Sequence, residues 1–207
     1  MEFLEINSKQ PESESETSSV ASRMLQLQRE YYDSNRKHFI FKKNQKQECA
    51  EMICARMSLD DLLKETFWVI PDTNRLFFDY TVFKTYANPD NYMNVIDKVL
   101  IHCVECVEKY GCFEVHVNLA GFTVSAAERY KIIIEMFCRE CLNRNKRFNV
   151  TLQTMNLYNI PNMVDQLSRM LMPLIPPEVR PKIRLFRKPE SEKALTELHN
   201  TVLSQTV

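Results

Sequence analysis

Glycine is almost absent from this sequence. Its 207 residues include two glycines, Gly111 and Gly121, whereas the phosphate-binding loops of P-loop and dinucleotide-binding proteins need several glycines within a few positions. The composition therefore excludes the nucleotide-dependent enzymes that are recognised by such loops. No apolar run approaches the ~18–20 residues that a membrane-spanning helix needs. The first residues lack a basic region followed by an apolar stretch, so we expect no signal peptide.

Cysteine is present but does not suggest a disulfide framework. The seven cysteines are an odd number and are widely spread, so we expect an intracellular chain with reduced thiols. Cys103/Cys106 and Cys138/Cys141 have the spacing of zinc ligands, but both pairs lie within periodic helical segments rather than on turns. We therefore expect buried thiols and no metal. No histidine lies in a recognisable nucleophile pattern, so the sequence predicts no enzyme.

The charges balance in sum but are unevenly distributed. Lys and Arg total 27, as do Asp and Glu. Residues 1–22 hold five acids and one base, whereas residues 138–188 hold ten bases and three acids, a formal net charge of +7. The basic stretch is a candidate surface for phosphates, lipid headgroups or an acidic partner. It contains no recognisable nucleic-acid-binding module, so nucleic acid is the less favoured partner.

The pattern along the chain predicts three regions. Residues 1–18 are acidic and rich in serine, so we expect a disordered tail. Residues 19–57 contain helix formers without proline or glycine and are expected to form N-terminal helices. In residues 58–207 a hairpin is followed by alternating helices and strands, which is typical of an α/β fold.

The predicted strands specify the fold class further. The hairpin spans residues 67–83, and the later strands span residues 113–119, 148–155 and 182–186. Because helices of sufficient length connect the later strands, we expect a mostly parallel β-sheet flanked by helices. Gly111 is expected just past the end of a helix at residues 93–110, and Ser125 and Glu128 have the spacing of a capping box.

Two segments of the chain resemble the CRAL-TRIO family of lipid-binding domains. The sequence FEVHVNLAGFT at residues 113–123 looks like the central strand and following loop of that family. The sequence SRMLMPLIPPEVRPKIRLF at residues 168–186 looks like its later proline-containing segment. The resemblance covers roughly residues 60–200. It implies a non-enzymatic module that binds or transfers a phospholipid or another hydrophobic small molecule at cytosolic membrane surfaces, with no cofactor beyond that ligand.

The resemblance also implies candidate site residues. The methionine-rich segment would line or gate an apolar pocket, since methionine adapts to varied apolar ligands; its candidates are Met163, Leu167, Met170, Leu171, Leu174 and Ile175. Lys182 matches a lysine that contacts the headgroup in members that bind phosphatidylinositol, whereas the expected glutamate falls in a segment without acids. The candidates for contact with an anionic headgroup are Lys182, Arg184, Arg187, Arg144, Lys146 and Arg147.

Two alternatives remain at this stage. Some members of the family are protein-interaction modules, so the same fold with a collapsed pocket could bind a small GTPase or its regulator. A STAS-like α/β regulatory domain has a strand, a small loop and a helix in a similar order. Either way we expect a cytoplasmic protein, and the lipid-binding interpretation adds peripheral association with membranes.

Overall fold

The structure, a computed structural model, describes residues 19–35 and 44–203, with residues 199 and 201–203 as backbone alone. The predicted tail at residues 1–18 lies outside these residues. The strands are β1 (Phe67–Val69), β2 (Arg75–Asp79), β3 (Phe113–Asn118), β4 (Leu152–Tyr158) and β5 (Ile183–Leu185). The helices are α1 (Val20–Ser34), α2 (Gln45–Arg56), α3 (Leu59–Thr66), α4 (Tyr80–Tyr86), α5 (Tyr92–Tyr110), α6 (Val124–Arg129), α7 (Lys131–Phe137), α8 (Lys146–Thr151), α9 (Val164–Leu171) and α10 (Lys188–Leu203).

The five strands form one mixed, mostly parallel sheet in the order β1-β2-β3-β4-β5. β1 and β2 are antiparallel and form the predicted hairpin, whereas β2, β3, β4 and β5 pair in parallel. The predicted α/β class with a leading hairpin is confirmed. Because neighbouring parallel strands follow one another in sequence and such crossovers are right-handed, their connecting helices lie on one face of the sheet.

The predicted strand at residues 148–155 is wrong in its first half. Residues 146–151 form α8, and β4 begins only at Leu152. Phe148 and Asn149 are buried on this short helix, so the first residues of the predicted strand are helical. The amine of Lys182 then binds the carbonyl oxygens at the end of the helix, 2.6 Å from those of Asn149 and Leu152.

The second strand of the hairpin also ends earlier than predicted. The Asp79 carboxylate accepts a hydrogen bond from the Thr81 amide at 2.7 Å and begins α4. On that helix Tyr80, Phe83 and Tyr86 are buried at i, i+3 and i+6, so residues that read as a β-branched and aromatic strand belong to a helix.

Two predicted helix boundaries have different outcomes. Gly111 has a φ of 75° just past α5, and this left-handed cap is confirmed. The capping box at Ser125 is wrong, because Thr123 caps α6 and accepts a hydrogen bond from the Ala126 amide at 3.1 Å.

The chain continues from α6 through α7 into a π-helix at residues 138–143. Such π-helical turns are rare in proteins, and those that occur often lie near functional sites.

Helices α1 and α2 pack against α3 and α4 beside the sheet. Leu27 and Ile53 are fully buried there, in the same apolar core as Leu62 and Leu76. A smaller apolar cluster on the opposite face of the sheet holds Tyr158 against α10. Among the described residues, no helix combines the length and apolarity required to cross a bilayer.

Candidate functional site

An apolar cavity of about 240 Å³ lies between the sheet and the helices that cover it. Alternate residues of a strand point to one face, so Phe78 on β2 and Val115 and Val117 on β3 form the floor. Val99 and Cys103 on α5 are part of the opposite wall, and residues of α7 and the π-helix complete it. The crossover helices pack on the strands and leave an apolar cavity between the two layers.

The cavity lining carries no acid and no base. Its side chains are aliphatic or aromatic, apart from the phenols of Tyr80 and Tyr130 and the thiols of Cys103 and Cys141. The Tyr130 hydroxyl donates to the carbonyl oxygen of Lys84 at 3.2 Å. Burial raises the pKa of the Cys141 thiol to about 12 and that of Cys103 well above its usual value. Both thiols therefore stay protonated at neutral pH, and the cavity suits an uncharged apolar group.

The exposure of the cavity lining differs between the two ends of the strands. Near the amino ends, the lining residues Phe113 and Leu152 are 3% and 1% exposed. Beyond the carboxyl end of β3 and near that of β4, the lining residues Leu119 and Leu157 are only half-buried, and so is Leu171 of α9. On the strands, the more exposed part of the lining is thus at the carboxyl edge of the sheet, where open α/β folds usually bind their ligands.

The volume sets the size of what fits. A water molecule occupies about 30 Å³ in the liquid, and a methylene group is of similar size. A cavity of about 240 Å³ therefore has room for several such groups. It is smaller than typical pockets for drug-sized ligands, which favours a slender apolar group such as a hydrocarbon chain.

The structure distributes the six predicted apolar site residues over several environments. Of these six residues, all within the described part of the chain, only Leu171 lines the apolar cavity between the sheet and the helices. Met163 is 58% exposed and Leu167 is 6% exposed, while Met170 is half-buried against the core. Leu174 and Ile175 line a second, more open cleft of about 430 Å³ beside the π-helix.

The amine of Lys182 is hydrogen-bonded to the protein backbone. It donates to the carbonyl oxygens of Asn149 and Leu152 at 2.6 Å, and the Val150 carbonyl oxygen lies at 3.4 Å. These groups end α8, where unsatisfied carbonyls and the helix dipole favour a cation. Lys182 thereby joins the start of β5 to the start of β4, at the amino edge of the sheet and away from the more exposed part of the cavity lining.

The other predicted basic residues are exposed and do not converge on the cavity. Arg144 pairs with the Glu140 carboxylate at 2.8 Å, and Lys146 and Arg147 lie on α8 near the more buried end of the cavity lining. Arg184 is opposite Asn156 in the sheet, on the face away from the cavity, and Arg187 follows β5. Their proposed role in headgroup contact stays a prediction.

The opposite face of the sheet holds a polar network that the sequence did not indicate as buried. His116 is 4% exposed, its Nδ1 lies 2.8 Å from the Tyr158 hydroxyl, and its Nε2 lies 3.4 Å from the Glu114 carboxylate. Burial lowers the pKa of His116, and the negative charge of Glu114, which raises that pKa, offsets only part of the effect. Among the described residues, no three His, Cys, Asp or Glu side chains are grouped as a metal site would require.

Sequence reasoning missed most of the cavity wall. The alternation in β3 and the helical periodicity of α5 identified buried residues, but buried residues around a void have the same pattern as those in a filled core. Only the distance between the layers separates the two cases. No protein-family model matches this chain, and no curated protein matches its sequence.

Proposed function

We propose that this protein is a CRAL-TRIO-like module that binds, and carries or presents, a hydrophobic small molecule without catalysing a reaction. The cavity is the single observation that carries the proposal. It is lined by apolar side chains, lies between the sheet and its crossover helices, and on the strands has the more exposed part of its lining at the carboxyl edge. Its lining has no acid or base for catalysis, and burial in it favours a hydrocarbon group over water.

The proposed setting is the cytosolic surface of a membrane. A hydrophobic ligand has to be taken up from and returned to a membrane or another carrier, because its solubility in water is low. Exposed bases such as Arg147, Arg184 and Arg187 can attract an anionic surface, each by on the order of 1 kcal/mol. This attraction would be weakened by salt, since exposed charges are screened beyond about 8 Å at physiological ionic strength.

The alternative, a protein-interaction module of the same fold, was expected to have a collapsed pocket. A cavity of about 240 Å³ favours the ligand-binding proposal over that alternative. A small GTPase or its regulator would become the first partner to test only if no apolar ligand occupies the cavity.

The test is binding of a neutral apolar probe, N-phenyl-1-naphthylamine, followed by its fluorescence. We expect saturable binding near one probe per chain for the wild type. Val99→Phe places extra volume in the cavity and should weaken binding at least about tenfold, an amount equal to about 1.4 kcal/mol. Val107→Phe is the matched control, because Val107 lies on the same helix, is buried, and is not part of the cavity lining.

The outcomes separate clearly. Native mass spectrometry and lipid extraction of the purified protein should also detect a bound apolar molecule. If the wild type neither binds the probe nor carries an extractable lipid, the proposal fails. Equal weakening by Val99→Phe and Val107→Phe would also count against it, because the binding would then not depend on the cavity.

A further inference from the structure

Cationic side chains lie at the carboxyl edge of the sheet, beside residues that line the cavity. Lys84 is exposed on α4, and its Nζ lies 5.6 Å from the ring centre of Tyr80, which lines the cavity. A Cβ atom added to Gly121 would be 3.2 Å from the same Nζ. Gly121 belongs to the loop whose residues Leu119 and Phe122 also line the cavity. The Lys84 ammonium group thus lies against the loop at the carboxyl edge of the sheet.

Arg129 approaches the same part of the wall from another helix. It ends α6, is exposed, and its guanidinium carbon lies 5.9 Å from the ring centre of Tyr130. The rings of Tyr130 and Tyr80 are 6.1 Å apart, and both line the cavity. The two cations therefore lie beside a pair of buried aromatic rings that belong to the cavity lining.

Lys46 is exposed at the start of α2, and α2 packs against α4, which carries Lys84. Partial desolvation, and then the positive charges of Arg129 and Lys84, lower the pKa of Lys46. Within residues 19–35 and 44–203, none of the three forms an ion pair. Three mutually repelling cations without an acid produce a local positive potential that an anion would relieve.

We propose that Lys46, Lys84 and Arg129 bind the anionic head of a single-chain amphiphile whose hydrocarbon chain occupies the cavity. This inference rests on the proposed function and adds the class of ligand: one chain, because the cavity is smaller than typical pockets for drug-sized ligands, and a carboxylate or phosphate head, because none of the three cations pairs with a described acid. The site lies at the carboxyl edge, whereas Lys182 and the bases of α8 lie at the amino edge.

The test compares four probes by calorimetric titration of the full chain. Decanoate and decyl phosphate have the chain and an anionic head, decan-1-ol has the chain alone, and inorganic phosphate has the head alone. We expect the two anionic amphiphiles to bind. Combining Lys46→Gln, Lys84→Gln and Arg129→Gln should weaken their binding about tenfold, since exposed charge pairs are individually modest. Binding of decan-1-ol should change by less than about twofold, because it makes no ion pair.

The control combines Lys109→Gln, Lys188→Gln and Lys193→Gln, which removes the same charge from exposed positions elsewhere and should leave all four titrations unchanged. Decanoate and decyl phosphate distinguish a fatty acid from a phosphate monoester by their relative affinity. If decan-1-ol binds but the three substitutions do not weaken the anionic probes, this inference is overturned and the proposed function stands. If inorganic phosphate binds as tightly as decyl phosphate, the cations form a phosphate site without a chain and the inference also fails. If no probe with a chain binds, both proposals fail.

Discussion

At the scale of single residues, a charge pattern identifies a basic side chain but not its partner. Lys182 directly precedes β5, and Lys84 lies on α4, the helix that follows β2. The amine of Lys182 is bound to backbone carbonyls at the end of α8, whereas that of Lys84 lies over an aromatic ring at the cavity wall. The first is in a position to stabilise the fold, and the second is available to a ligand.

This difference gives a prediction for Lys182→Met. Removing the amine leaves carbonyl groups at the end of α8 without their charged donor, and hydrogen bonds to charged groups contribute about 1.5–3 kcal/mol. Because Lys182 is half-buried, we expect the free energy of unfolding to fall by about 1–2 kcal/mol, near the lower end of that range. Chemical denaturation followed by circular dichroism measures it. Lys193→Met on exposed α10 should change stability by less than about 0.5 kcal/mol. A neutral effect of Lys182→Met would mean that the carbonyl contacts contribute little.

At the scale of elements, α5 shows how one helix packs differently along its length. Val107 and Val99 are two turns apart on the same buried face, with 4% and 6% of their surface exposed. Val99 borders the cavity, whereas Val107 is surrounded by core side chains. The helical period identifies both as buried, but it does not report whether the neighbouring space is filled.

We predict that the same substitution lowers stability more at Val107 than at Val99. Val107→Phe forces extra volume into a packed core and should lower the free energy of unfolding by about 1–3 kcal/mol. Val99→Phe has empty space beside it, and the buried apolar area it gains offsets part of any strain, so its change should stay within about 1 kcal/mol. Urea denaturation of the ligand-free proteins provides the comparison. Equal destabilisation by the two variants would contradict a cavity at Val99.

At the scale of the whole molecule, helices α1 to α9 and the sheet share one apolar core, and α10 packs in the smaller cluster on the other face. Leu27 of α1 and Ile53 of α2 are fully buried against α3 and α4, whose Leu62 and Tyr86 are also fully buried. The predicted division into N-terminal helices and an α/β domain from residue 58 describes secondary structure along the chain. In the folded protein, the helices of residues 19–57 cover apolar side chains of the α/β part.

A pair of truncations tests this dependence. A fragment of residues 58–207 would expose the core side chains that α1 and α2 cover. Each large apolar side chain contributes about 1.5–3 kcal/mol when buried, and several together approach the whole stability of about 5–15 kcal/mol that a domain usually has. We therefore expect no cooperative thermal transition for this fragment. A fragment of residues 19–207 should melt within a few degrees of the full chain. The fluorescence of Trp68, the single tryptophan, reports the transition at β1. Cooperative melting of the shorter fragment would show that its core is sufficient.

The sequence by itself determined the class of the fold and most of its elements. Alternation in β3 and helical periodicity in α5 are local consequences of which side chains must leave water, so each could be read without knowing its partner. Gly111 likewise has a local reason, a positive φ past the end of α5. Predictions were wrong at Phe148 and Tyr80 because short apolar runs satisfy a helix and a strand equally well, and long-range contacts select between them.

Only the tertiary structure decided where the candidate site lies. The cavity depends on the distance between the sheet and the crossover helices, which no residue pattern encodes. Lys46, Lys84 and Arg129 come from three helices far apart in sequence. Helices α2 and α4 pack together, and Arg129 contacts Tyr130, whose ring lies against that of Tyr80 on α4. Their mutual repulsion, and the apolar space beside them, are properties of that packing, because electrostatic and hydrophobic interactions depend on distance in space rather than on separation along the chain.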